Sequence, residues 1–350
     1  MANVTIAPAH ALNITTTTIS MDNGSSLTTE ISKPIMHWRL EYIHLGLVFL
    51  FIELIIFLPI IFGNTLILIS IFKFKRLRTR INMLIANLAT SDLLIGTVMI
   101  PYDLFFIFNA PMRHDKYTCL LRYTFETSFL GSSVLNLLVI SIERYLAIMY
   151  PLQHASRATR RWLISLMASS WIISIFVACL PLLGWNSWYP GIPCDSTYIN
   201  PKSYKGLIFL FFIGSIIANF VMYVKVVKIA FSQINAIQSE KSAMTEDTFR
   251  HVRVKKNNIK KTKMMILVLG VFAVCWGPYC VTLVFETLFL EPSDNLEMAK
   301  KCLACFGLIN SGLNWIIFGV KNSSFRKAFK YILCCGAGQR DSLVISSTAK

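Results

Sequence analysis

Hydrophobic residues in this chain run in long blocks instead of alternating with polar ones. Seven such blocks occupy approximately 42–72, 80–107, 117–149, 160–183, 204–231, 262–289 and 299–320, with polar stretches between them. Each is longer than the roughly 18 apolar residues that mark a bilayer-crossing helix. The pattern predicts an all-α membrane protein, a seven-transmembrane helix bundle. After the seventh block the pattern changes: Phe325, Phe329 and Ile332 fall on one helical face among Lys321, Arg326, Lys327 and Lys330. That predicts a short amphipathic cytoplasmic helix lying on the inner leaflet. Cys334 and Cys335 follow it directly, a position suited to palmitoylation. The expected organisation is a tail over 1–38, a helical membrane domain over 39–320, and the amphipathic helix with its tail over 321–350.

Composition agrees. The chain has 350 residues, 55% hydrophobic and 15% charged, with a mean hydropathy of +0.57. A soluble protein would carry nearer a quarter charged residues. Lys and Arg number 34 against 18 Asp and Glu, a formal charge of +16. In a soluble chain that excess would suggest nucleic acid. Here the basic clusters at 73–80, 157–161, 255–263 and 321–330 flank apolar blocks on alternate sides. This is the positive-inside pattern, which places those loops in the cytoplasm and the N-terminus outside; no nucleic-acid partner is expected.

The N-terminal tail is rich in Thr and Ser and lacks the charged and apolar regions of a signal peptide. Its sequons at Asn3, Asn13 and Asn23 fit glycosylation of an extracellular segment, whereas the sequon at Asn322 lies on the basic side and is expected to be unmodified. Of nine cysteines, most lie within apolar blocks and read as small hydrophobes. Cys119 and Cys194 instead stand on the non-basic, oxidising side. No Ser-His-Asp set, metal-spaced His/Cys cluster or phosphate loop argues for an enzyme.

The third block is the most informative. Cys119 stands near one end and Glu143-Arg144-Tyr145 near the other, about 24 residues or roughly 36 Å of helix apart. A charged triplet at a membrane edge is costly without a role. Further marks follow one per block: Gly63-Asn64; Asn87-Leu88-Ala89-Thr90-Ser91-Asp92; Trp171 and Pro181; Cys275-Trp276-Gly277-Pro278; and Asn310-Ser311 with Asn314-Trp315-Ile316-Ile317-Phe318. In this order, with Pro151-Leu152 after the triplet, the chain resembles the rhodopsin-like G-protein-coupled receptors.

The resemblance implies a signalling receptor that binds an extracellular small-molecule or peptide ligand, sits among membrane lipids and acts on a heterotrimeric G protein. Arg144 would be held by Glu143 and, once released, would meet the G protein. The residue reading alone also allows an interfacial snorkelling arginine. Relatives often clasp this arginine with an acid at the start of helix six; here Lys255-Lys256-Asn257-Asn258-Ile259-Lys260 has none, so raised basal activity is expected. Asp92, mid-membrane, would bind an allosteric sodium ion with Ser133, Asn310, Ser311 and Asn314, near Asn64 and Trp276; no other cofactor is implied. The alternative is a protonated Asp92 in a polar water network. Cys119 and Cys194 would form the family's bridge, closing a separation of 75 positions worth roughly 4 kcal/mol in the chain-entropy model. Activation would run through Trp276, Pro278, Asn314, Phe318 and Tyr223.

Two departures bear on that route. Ser215, counted back from Tyr223, replaces the proline usual in helix five. Trp315 and Phe318 replace the usual proline and tyrosine of helix seven. Without its proline helix seven is expected to be straighter, which keeps open a decoy or scaffold that does not couple.

For the ligand, Glu126 lies two turns inward of Cys119, where aminergic receptors carry an aspartate. It suits a ligand ammonium, with Tyr279 and Trp276 as an aromatic floor; the alternative is an ion pair with Arg122 four residues earlier. The serines used for catechols are absent, since Leu207, Ile208 and Phe211 stand there. Gly184-Trp185-Asn186 is similar to adenosine receptors, yet Leu283 and Asp195-Ser196 replace their nucleoside contacts. Leu308 removes the Schiff-base lysine of an opsin. Asp103, with Glu53 and Glu286, adds negative charge at the outer ends. A cationic ligand is favoured, a biogenic amine first; a nucleoside or basic peptide is the alternative. An ion channel or transporter, with Asp92 and Glu126 as waypoints, lacks the paired broken helices of that class.

Overall fold

A helix that crosses lipid must satisfy its own backbone, and the computed structural model of the chain is helical wherever the sequence is long and apolar. It describes residues 33–150, 160–192, 194–240, 246–288 and 294–334. The chain divides at Gly46 into two compact units. In the first, 33–46 is helical. The second contains seven helices long and apolar enough to span a membrane: Phe51–Lys73, Arg80–Phe108, Lys116–Met149, Arg160–Cys179, Lys202–Ile229, Thr262–Phe285 and Met298–Lys321. They are referred to below as spans one to seven, and Ser323–Leu333 as the amphipathic helix. No strand occurs among the described residues. The expected tail and its sequons at Asn3, Asn13 and Asn23 lie outside the described residues.

Local chemistry sets the helix ends. The Thr79 side chain accepts the Asn82 N–H at the start of span two, and the Asp115 carboxylate accepts the Thr118 N–H at the start of span three. That bond holds the Asp115 carboxyl below its ordinary range. Span two widens into a π-turn over Ile95–Met99, just before Pro101. Proline cannot donate to the preceding turn, and the ladder shifts register to accommodate it.

Span three is the most enclosed of the seven, and side-chain hydrogen bonds tie others to it. Asn136 on span three accepts from Asn87 of span two and from Ser170 of span four at 2.8 Å. Trp171 donates its indole N–H to Asn87 Oδ1 at 3.0 Å. Thr124 reaches the Ala178 carbonyl of span four, and Asn219 of span five reaches the Val134 carbonyl. Lipid offers no competing water, so such bonds act as glue between helices that hydrophobicity alone would not order. The outward faces carry Leu58, Phe72, Phe105, Phe176 and Phe220, all exposed to where the acyl chains would lie.

The two departures from the family pattern are resolved by packing. Ser215 donates to its own helix at the Phe211 carbonyl, 2.7 Å away, and span five runs unbroken. Span seven is likewise continuous within Asp294–Lys321. Trp315 packs directly against Gly63, where a Cβ would come 1.8 Å from the indole Cδ1, and it meets Phe62 edge-on with centroids 5.5 Å apart. Phe318 is fully buried and stacks on Phe325 of the amphipathic helix at 5.7 Å. Phe325, Ala328 and Phe329 are buried while Ile332 is half-buried. The apolar face expected to lie on lipid is thus turned mainly onto span seven.

The Gly63–Trp315 contact predicts a paired effect. Gly63→Val should destabilise by about 1–3 kcal/mol through overpacking. Trp315→Ala should leave a cavity costing about 3–5 kcal/mol. The double variant should lose less than the sum, read as melting temperatures of the detergent-solubilised protein.

Candidate functional site

The disulfide between Cys119 and Cys194, with Cα atoms 5.8 Å apart, pins the segment after span four to the outer end of span three. Gly184 and Gly191 turn that segment at φ of 113° and 91°, a region open to glycine. Phe106, Leu120, Ile192 and Ile199 pack around the bridge. Just past it, Ser196 and Asn200 form part of the wall of a cavity of about 610 Å³ bounded by spans three to seven.

Trp276 and Tyr279 line this cavity and meet edge-on at 5.8 Å. Gly307 makes room for the indole: a Cβ there would lie 2.8 Å from it. Pro278 sits inside the same helix. Glu126 lines the cavity. The alternative pairing with Arg122 does not form, because Arg122 is engaged by Asp103 at 2.7 Å. The Arg122 guanidinium also lies over the Phe106 and Tyr123 rings at 5.2 and 5.3 Å. Glu126 therefore has no hydrogen-bond or ion-pair partner among the described residues. Asp103 is spent on Arg122 and is not part of the cavity wall. Glu53 is near this group, with Oε2 buried and unpartnered. The Glu286 side chain lies outside the described residues.

Lys202, Lys205 and Lys300 also line the cavity and were not singled out from sequence. The available signal was positional: they stand at span ends on the face opposite the basic clusters.

Below the cavity lies Asp92, fully buried. Ser311 donates to its Oδ1 at 2.8 Å and Asn314 to its Oδ2 at 2.7 Å, and Ser133 also faces it. Asn64 of span one donates to the Ser311 carbonyl at 3.1 Å. The amide oxygens of Asn64, Asn310 and Asn314 are buried without a donor. Unmet acceptors around one carboxylate are a donor set of oxygens alone, which fits a hard cation. Ser133 and Ser311 line the outer cavity too, so the two sites share a wall.

At the other end of span three Arg144 is paired with Glu143, both buried, while Tyr145 is half-buried. Tyr223 packs on the neighbouring apolar core. Phe318, expected to take part in activation, stacks from span seven on Phe325 of the amphipathic helix. The side chains of 246–261, where a clasping acid would stand, and Pro151-Leu152 lie outside the described residues. Cys334 is an exposed free thiol at the end of the amphipathic helix; Cys335 lies outside the described residues.

Residues 63–318 match the family model described as 7 transmembrane receptor (rhodopsin family). The chain is 28% identical over 301 residues to the histamine H2 receptor of Cavia porcellus, covering 83% of this chain and 80% of that one. It is 28% identical over 310 residues to the D(1B) dopamine receptor of Xenopus laevis, covering 79% and 67%. It is 27% identical over 279 residues to lysophosphatidic acid receptor 3 of Rattus norvegicus, covering 79% and 75%. These relatives are receptors and not enzymes.

Proposed function

Because the chain belongs to the rhodopsin family of seven-transmembrane receptors, a multi-pass family of the plasma membrane, we propose that it converts binding of a cationic small molecule into activation of a heterotrimeric G protein. The observation that carries the ligand class is Glu126: a carboxylate in the cavity wall, left unpartnered because Asp103 holds Arg122. A buried ion without a partner is costly, and a ligand ammonium removes that cost. Trp276 and Tyr279 offer aromatic faces to the same cation. Two of the relatives are named for histamine and dopamine.

The N-terminus faces outside and the basic loops face the cytoplasm, following the positive-inside bias. Arg144 is the contact for the G protein and Glu143 its resting partner. Ligand in the cavity acts first on Trp276, which shares span six with Pro278. In this chain the movement passes to Asn314 and Tyr223, while Phe318 keeps span seven joined to the amphipathic helix. Asp92, Ser133, Asn310, Ser311 and Asn314 would hold a sodium ion, a reading supported by the unmet amide oxygens. The ion would supply positive charge beside the Asp92 carboxylate, and these residues would favour whichever conformer gathers them around it.

Three outcomes test this reading. In cells, G-protein dissociation measured across a panel of Gα subunits is expected to show a basal signal that Arg144→Ala abolishes at unchanged surface expression; a signal that persists in the variant removes the role of Arg144. Across a biogenic-amine panel, Glu126→Gln should weaken the active amine at least roughly tenfold, about 1.4 kcal/mol. An unchanged dose-response curve would reject the counter-ion assignment. Replacing choline by sodium at constant ionic strength should raise the melting temperature of the solubilised receptor but not of Asp92→Asn; equal shifts in both would remove the ion site.

A further inference from the structure

Spans six and seven part along their outward side to leave a groove of about 940 Å³, which shares no wall residue with the ligand cavity. Its wall is mostly apolar. Val274 of span six and Phe306 of span seven are exposed in it, and Leu313 is half-buried. Gly270 leaves the groove open midway: an added Cβ there would meet nothing within 4 Å.

The groove is basic at one end. Lys263 stands at the start of span six and Lys321 closes span seven, and both are exposed in its wall. From 263 to 274 is 11 positions, roughly 16 Å of helix. That is about half of a hydrocarbon core of roughly 30 Å. The groove is therefore one leaflet deep, with its positive charge at the water end. Pairing within the protein does not account for the two lysines. Neither is in an ion pair among the described residues, and no Asp or Glu lies within 15 positions of either, over 248–278 and 306–336. The positive-inside bias accounts for their side of the membrane but not for an apolar groove running from them.

We propose that this groove binds an anionic phospholipid of the inner leaflet. Its phosphate-bearing headgroup sits between Lys263 and Lys321, and one acyl chain runs over Gly270 between Val274 and Phe306. A soluble anion would use the lysines and leave the groove empty. A neutral lipid would fill the groove and leave the lysines unused. An anionic phospholipid uses both, and basic side chains at the inner end of membrane helices draw such headgroups. The leaflet rests on the orientation proposed above; the preference for negative charge does not.

The test titrates the full-length protein, solubilised in neutral detergent, with dioleoylphosphatidylglycerol and with dioleoylphosphatidylcholine, which differ only in the headgroup. Melting temperature is the readout. Phosphatidylglycerol is expected to reach half its stabilising effect at a concentration at least roughly tenfold lower than phosphatidylcholine, through two basic contacts. That advantage should vanish in Lys263→Gln/Lys321→Gln and return in Lys263→Arg/Lys321→Arg. In Gly270→Leu, whose new side chain occupies the groove, both lipids should lose most of their effect. Equal potency of the two lipids on wild type, or an advantage that survives the double glutamine variant, would overturn the headgroup site. A full response in Gly270→Leu would overturn the groove and leave the lysines as general surface charge. The titration involves neither Glu126 nor Arg144 nor sidedness, so either failure leaves the receptor reading standing, to be decided by G-protein dissociation.

Discussion

In lipid an unmet polar group has no water to fall back on, and the organisation of this bundle follows from where its polar side chains find partners. Span three is the hub. Asn136 gathers spans two and four, Thr124 adds a second tie to span four, and Asn219 brings span five to the Val134 carbonyl. Span seven is joined instead to span two through Asp92, and to span one through Asn64. Apolar packing fills the space between these ties but does not choose the register; any Leu face is as content against acyl chains as against another helix.

The same constraint gives each end of span three its chemistry. At the outer end, Asp103 neutralises Arg122, and that pairing leaves Glu126 to the cavity. At the inner end, Glu143 neutralises Arg144 within a single helical step. In the middle, Asp92 is met by two donors yet surrounded by amide oxygens with nothing to accept. One span thus presents a filled ion pair at its base and an unfilled acid at its top, with the polar core of span two between them.

Much of this was legible in the chain. Block lengths gave the seven spans, and the face of Phe325 and Phe329 gave the amphipathic helix. Motif spacing pointed to Asp92, Arg144 and the Cys119–Cys194 pair. What the chain could not give was choice among partners. Arg122 has Glu126 at helical spacing on its own span, and only the approach of span two shows that Asp103 takes it. Lys300 reads as one basic residue near a block edge until the helices converge and place it in the wall of the same cavity as Glu126. Trp315 read as a missing proline; its use became visible only once span one brought Gly63 beneath it. These are all contacts between residues distant in sequence, which periodicity along a single helix does not encode.

The Trp315–Gly63 contact also bears on how such a chain can change over time. A glycine in span one and an indole in span seven fit as one object shared by two helices. A proline at 315, the residue usual in this family, would leave a void beside Gly63, and a larger residue at 63 would collide with the indole. The indole is therefore compatible with glycine alone at 63, and the departure in span seven ties the identity of a span-one residue to it.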